Sequence, residues 1–193
     1  PRMVMYNDIY GWQHKQFLGN GEFTLCFGDY TVNITVPSDH VVASTGTLQN
    51  AGEILTKSQQ EAFEKAKTAK QPVIIISQKE AEKKEKKHAK DKKTWTYFAE
   101  NVRDFGFATS RKFIWDAIGV QFGDRTVMEM SYYPKEGNPL WEQYSTKAVA
   151  HTLRTYSKYT FDYPYPVAIS VHAASIGMEY PMICFNFGRP EKD

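Results

Sequence analysis

The sequence predicts a β-rich N-terminal portion followed by an α+β segment, and three observations lead there. Apolar and polar residues alternate from Tyr30 to Val36, a sustained helical period follows Asn138, and short apolar runs bounded by Gly, Pro or Asn recur on both sides of a lysine-rich stretch. With 193 residues, 41% of them hydrophobic and 15% aromatic, the chain can build one large core or two small ones, which excludes global disorder.

The elements follow in order. From Trp12 to Val36 strands are separated by turns at Gly19-Asn20-Gly21 and Gly28-Asp29. Tyr30, Val32, Ile34 and Val36 alternate with Thr31, Asn33 and Thr35, so this strand buries one face. Val41 to Gly46 reads as another strand. Ser58 and Glu61 have capping-box spacing ahead of Ala62, Phe63, Ala66 and Ala69, which predicts a helix from Ser58 to Lys70 that ends at Gln71-Pro72. Val73 to Ile76 is a short apolar strand.

Lys79 to Lys93 holds eight lysines against four acids and carries no apolar stripe at either period, so it reads as a solvated loop or an exposed helical turn. It also accounts for the formal net charge of +2, since acids outnumber bases in the rest of the chain. Nucleic-acid binding is not expected of it, because no interleaved aromatics offer a stacking surface and its acids dilute the field.

Strand character returns at Trp95, Tyr97 and Ala99, continues through Asn101 to Val120, and reappears from Val127 to Tyr133. Asn138 then serves as N-cap with Pro139 at the first helical position. Trp141, Tyr144, Ala148, Thr152 and Tyr156 follow at helical spacing as the stripe expected to pack inward. Tyr163-Pro164-Tyr165-Pro166 forces an extended link, Val167 to Val171 is a strand, and "GMEYPMICFNF" (177–187) is a glycine-initiated turn into a further strand.

Candidate chemistry is sparse. Cys26 and Cys184 are too few for a disulfide framework and form no C-x-x-C pair. None of His14, His40, His88, His151 and His172 stands four residues from another on a helix, there is no H-E-x-x-H, and His151 reads as a packing histidine on the helical stripe. No nucleophile elbow or phosphate-binding glycine loop is present, and no apolar run approaches the roughly 18 residues that cross a bilayer. The sequence carries no compartment signal, and a periplasmic or secreted parent is compatible with it. Nothing in it fixes an oligomeric state.

The order "NVRDFGFATS" (101–110), "FDYPYPVAISV" (161–171) and "GMEYP" (177–181) resembles the aminopeptidase N family of gluzincin zinc metallopeptidases, whose G-x-M-E-N strand precedes a zinc-binding H-E-x-x-H helix. "YTVNITVPSDHVVASTGTL" (30–48) is similar to late strands of that family's N-terminal β-domain. The resemblance implies that residues 1–104 are the C-terminal part of a saddle-like β-domain, and residues 105–193 the start of a thermolysin-like catalytic domain. It implies further that Glu179 binds the free α-amine of a peptide substrate while Gly177 and Met178 lie against its first residues, and that the parent holds zinc. Tyr180 stands where the family has Asn. No zinc ligand, general base or other catalytic residue falls within this chain, so the segment alone is expected to bind no zinc and to be inactive. The rival expectation is a non-catalytic β-rich binding module, in which GMEYP is only a turn and a strand.

Overall fold

The computed structural model describes residues 5–7, 11–13, 26–86, 88–174 and 177–190. In chain order the elements are β1 (Met5–Asn7), β2 (Gly11–Gln13), β3 (Gly28–Pro37), β4 (Val41–Ser44), β5 (Thr47–Leu48), α1 (Ala51–Ile54), α2 (Lys57–Ala66), β6 (Val73–Ile76), α3 (Gln78–Lys86), β7 (Lys92–Val102), β8 (Phe107–Ser110), β9 (Ile114–Phe122), β10 (Arg125–Tyr133), a 3-10 turn (Lys135–Gly137), α4 (Leu140–Tyr159), β11 (Val167–His172), β12 (Met178–Tyr180) and β13 (Ile183–Asn186). The predicted β-rich beginning and α+β continuation are both present. The turn expected at Gly19-Asn20-Gly21 lies outside the described residues.

Six strands form the largest sheet, in the order β12-β13-β11-β10-β9-β6, and β3-β7-β5 form a smaller one. β4 pairs antiparallel with β8, and β6, although early in the chain, pairs with β9 in the large sheet. One face of the large sheet is apolar. Its Trp115, Met130, Val171 and Ile183 join Ile34, Val36 and Trp95 in a single buried cluster, so the alternation read in β3 does point one face inward. The other face receives α4: Ile118, Val120, Val127 and Ala168 pack beneath Ala150 and Leu153.

Three expectations about helices need correction. α2 begins and ends earlier than expected, because the capping box is made by Thr56 and Gln59 rather than Ser58 and Glu61. The Thr56 hydroxyl accepts from Gln59 N at 3.3 Å, and Gln59 Oε1 accepts from Thr56 N at 3.1 Å. Its last turn tightens as Lys67, Thr68 and Ala69 donate to carbonyls three residues back, which closes the helix before Lys70.

Of the two forms expected for the lysine-rich run, the helical one is present over Gln78–Lys86, as a docked helix rather than a freely solvated turn. It folds as α3 because Ser77 and Glu80 cap each other, with Glu80 Oε2 accepting from Ser77 N and Oγ at 2.8 Å each. One small residue suffices to dock it: Ala81, 2% exposed, packs against Ile114, Tyr133 and Trp141. Glu85 then takes Lys112 and Lys135 at 2.9 Å each, a pairing that holds its carboxyl down to about 2.

α4 buries a different stripe from the one expected. Trp141 is inward, but its companions are Thr146, Ala150 and Leu153, whereas Tyr144 and Tyr156 are 61% and 68% exposed and His151 is also exposed. Its first residue is Leu140, one later than expected. Asn138 still serves the start, its Oδ1 accepting from Glu142 N at 3.3 Å.

Candidate functional site: a groove beside the β12 edge

GMEYP forms β12, the outermost strand of the large sheet, and a turn into β13. Three anchors fix that turn from behind. Thr45 Oγ1 donates to the Pro181 carbonyl at 2.9 Å and accepts from Gly106 N at 3.1 Å. The Met182 carbonyl accepts from Ile169 N at 2.8 Å. Tyr180 packs directly over Gly106, where a Cβ would stand 2.9 Å from its ring. Tyr180 thus points to the apolar face, beside Phe185, and its ring is not on the face that Glu179 occupies.

Glu179 is on the opposite face, exposed, at the end of a transverse polar row. Asp116 (β9), Ser131 (β10), Ser170 (β11), Cys184 (β13) and Glu179 (β12) are successive register partners, so their side chains project from the same face. At about 4.8 Å per strand the row spans roughly 19 Å. α4 covers its Asp116 end only. Beyond that helix the sheet is open, and between α4 and β11, β13 and β12 runs a groove of about 860 Å³. Its walls are mostly apolar, with Tyr144, Ala148 and Tyr156 on the helix side, and Ser170, Cys184 and Glu179 supply polar points on the floor. The stripe expected to be core is therefore the wall of this groove. Gly177 and Met178 are also exposed but do not line the groove, Met178 (46% exposed) turning by its register with Phe185 to the face opposite Glu179, and β12 leaves its outer edge unpaired among the described residues.

Burial controls the chemistry along the row. Burial pushes the Cys184 thiol up, and the charge of Glu179 adds to the shift. Asp116, 1% exposed, is raised by burial to about 6, although Thr146 Oγ1 donates to its Oδ1 and Tyr133 Oη donates to its Oδ2 at 2.6 Å. Next to the row on β10, Glu129 is fully buried with no hydrogen-bond partner for either oxygen among the described residues, and burial lifts it to about 8 against a partial offset from Arg154. His172 is spoken for: Nε2 donates to the Gly188 carbonyl at 3.1 Å, and its ring stands edge-on to Trp141.

Glu179 thus lines the groove, Gly177 and Met178 stand just before it in the chain and outside the lining, and Ser170 and the buried Asp116–Ser131 pair were not singled out from the sequence. Their signal was a single small or acidic polar residue within otherwise apolar strands, with a second, Glu129, two residues before Ser131 on β10. Among the described residues no group of three or more His, Cys, Asp or Glu side chains is arranged to hold a metal. Glu179 has one neighbouring ligand type on the floor, Cys184, and two donors fall short of the four a zinc centre needs. No helix of the described residues is long and apolar enough to cross a membrane.

No protein-family model matches the sequence, and no curated protein does. Solved structures do. An M1 zinc metallopeptidase from Deinococcus radiodurans matches at 17% identity and a TM-score of 0.55 over 86% of this chain and 31% of its own. A point mutant of it bound to a Tyr-Ser-Ala substrate matches at 16% and 0.54. A two-domain M1 zinc metallopeptidase mutant bound to L-arginine matches at 17% and 0.55, over 95% of this chain and 39% of its own. The chain thus spans between three and four tenths of the length of these structures. Its fold is the one they have over that stretch.

Proposed function

We propose that this protein is part of a zinc-dependent aminopeptidase in which Glu179 binds the α-ammonium of a peptide and selects for free N-termini. The observation that carries the reading is the position of GMEYP: an edge strand whose one carboxylate is exposed at the rim of a groove, on a fold like that of M1 zinc metallopeptidases. An extended peptide can pair with the free edge of β12, its first residues along Gly177 and Met178 and its terminus at Glu179. An ammonium drawn from water needs an anion in fixed geometry, and the anchored turn behind Glu179 supplies the fixing.

In this reading residues 1–104 belong with a β-domain and residues 105–193 with the opening of the catalytic domain. The hydrolytic zinc and its ligands come from further along the parent chain, and zinc, when bound there, supplies the activated water. No zinc ligand is assigned to the residues described. The 193 residues alone are expected neither to hold zinc nor to cleave aminoacyl substrates. The test is the parent's sequence and metal content: an H-E-x-x-H a few tens of residues beyond Asp193 and stoichiometric zinc support the reading. A parent with neither leaves the rival, a β-rich binding module that uses the same groove without chemistry.

A further inference from the structure

One wall of the groove carries a hydroxyl that the peptide reading does not use, Ser145 on α4. We infer that Ser145 is a groove contact of reversible hydrogen-bonding sense, set through Ser131 and Thr146 by whether Asp116 carries a proton. The inference stands apart from the peptide reading and needs no metal.

The geometry is a continuous chain. Thr146 Oγ1, 2% exposed, is within hydrogen-bonding reach of Asp116 Oδ1 and lies 2.7 Å from Ser131 Oγ, and Ser131 Oγ lies 2.7 Å from Ser145 Oγ. Thr146 is placed to donate to Asp116 or to Ser131, and it has one proton. With Asp116 ionised, Tyr133 donates to Oδ2 and Thr146 must give its proton to Oδ1. Ser131 then donates to Thr146, Ser145 donates to Ser131, and Ser145 turns only lone pairs toward the groove. With a proton on Oδ1 every link reverses: Asp116 donates to Thr146, Thr146 to Ser131 and Ser131 to Ser145, whose own proton now faces the groove. Both orders keep all the buried hydroxyls bonded, so they interconvert by rotating hydroxyls once a proton arrives or leaves.

Other groups around Asp116 tune the balance without joining the chain. α4 brings Glu142, which favours the protonated form, and Lys147, which opposes it; β10 brings Tyr133; β6 places Ile74 in register beside it. Burial puts the midpoint at about 6, within reach of ordinary conditions. A groove occupant presenting an N–H to Ser145 therefore favours ionised Asp116, whereas one presenting a carbonyl or carboxylate favours its protonation, and the coupling is reciprocal.

The test is a ¹³C NMR titration of the Asp116 carboxyl in the 193-residue chain, in a double-mutant cycle. Ser145→Ala removes the last acceptor of the protonated order but only a donor in the ionised order. It should weaken proton binding at Asp116 about fivefold, three hydrogen bonds away from the change. In a Thr146→Val background, where the chain is cut, the same substitution should leave the midpoint where it is. Should Thr146→Val fail to fold, Ser131→Ala cuts the chain at the next link and serves the same purpose. An unmoved midpoint in Ser145→Ala, or an equal shift with and without the cut, overturns the inference.

Discussion

Under α4, Asp116, Glu129 and Ser131 are at most 1% exposed, whereas on the same sheet face Ser170 is 5% exposed, Cys184 is half-buried and Glu179 at the edge is open. The two halves carry the same kinds of side chain, and what differs is cover. Beneath the helix, carboxyls are pushed toward their neutral forms and hydroxyls are locked into a chain; past it, a carboxylate faces solvent and can meet a partner's charge. Charge at the rim and neutrality beneath the helix thus follow from where a 20-residue helix lies on a six-stranded sheet that it covers only in part.

The sharpest way to break this comparison is to truncate matched residues on the two sides of α4. Leu153→Ala opens the covered cluster and should cost about 3 kcal/mol in urea unfolding. Tyr156→Ala, a larger truncation on the groove wall, should stay within about 0.5 kcal/mol in the 193-residue chain. Equal losses would mean that the groove side is packed after all.

Next comes the buried carboxyl beside the row. Folded Glu129 keeps its proton up to about pH 8, but the unfolded chain releases it near its ordinary value of 4.5, so native stability falls as pH rises between those values. Glu129→Gln cannot ionise. It should be more stable than wild type by roughly 2 kcal/mol or more at pH 7.5, with the difference gone near pH 4. A difference independent of pH would show that Glu129 is not held neutral.

The smallest effect belongs to the exposed ion pairs that tie α3 to Lys112 and Lys135. Glu85→Ala should lower the melting temperature slightly, and the deficit should shrink in about 1 M salt, where screening is nearly complete.

Strands were easy to read because alternation has one meaning: Val32, Ile34 and Val36 cannot face both ways. The turn expected to start at Gly177 falls instead at Pro181-Met182, after the short strand β12 and before β13. The face of α4 was not easy to read. Tyr144, Ala148, Thr152 and Tyr156 form as good a stripe as Thr146, Ala150 and Leu153, and the choice was made by the sheet below. Asp116 and Ser131 required a hydroxyl above them, and Thr146 supplies it. The docking of α3 was hidden for another reason, since its Ser77–Glu80 cap and its one buried residue, Ala81, lie within or beside a run that lysines dominate. Glu179 was found through its motif, but its neighbours Ser170 and Cys184 come from separate strands and meet it only through register.

The most direct measurement of the proposed activity compares the parent protein and its Glu179→Gln variant on one peptide with a free N-terminus and on the same peptide acetylated, after circular dichroism has confirmed the fold. A hydrogen bond to a charged group contributes about 1.5 to 3 kcal/mol, so the expected result is a drop of at least roughly tenfold in kcat/KM for the free peptide, with little change for the acetylated one. Equal losses on both substrates, or no loss on either, would contradict a Glu179 that reads the amine.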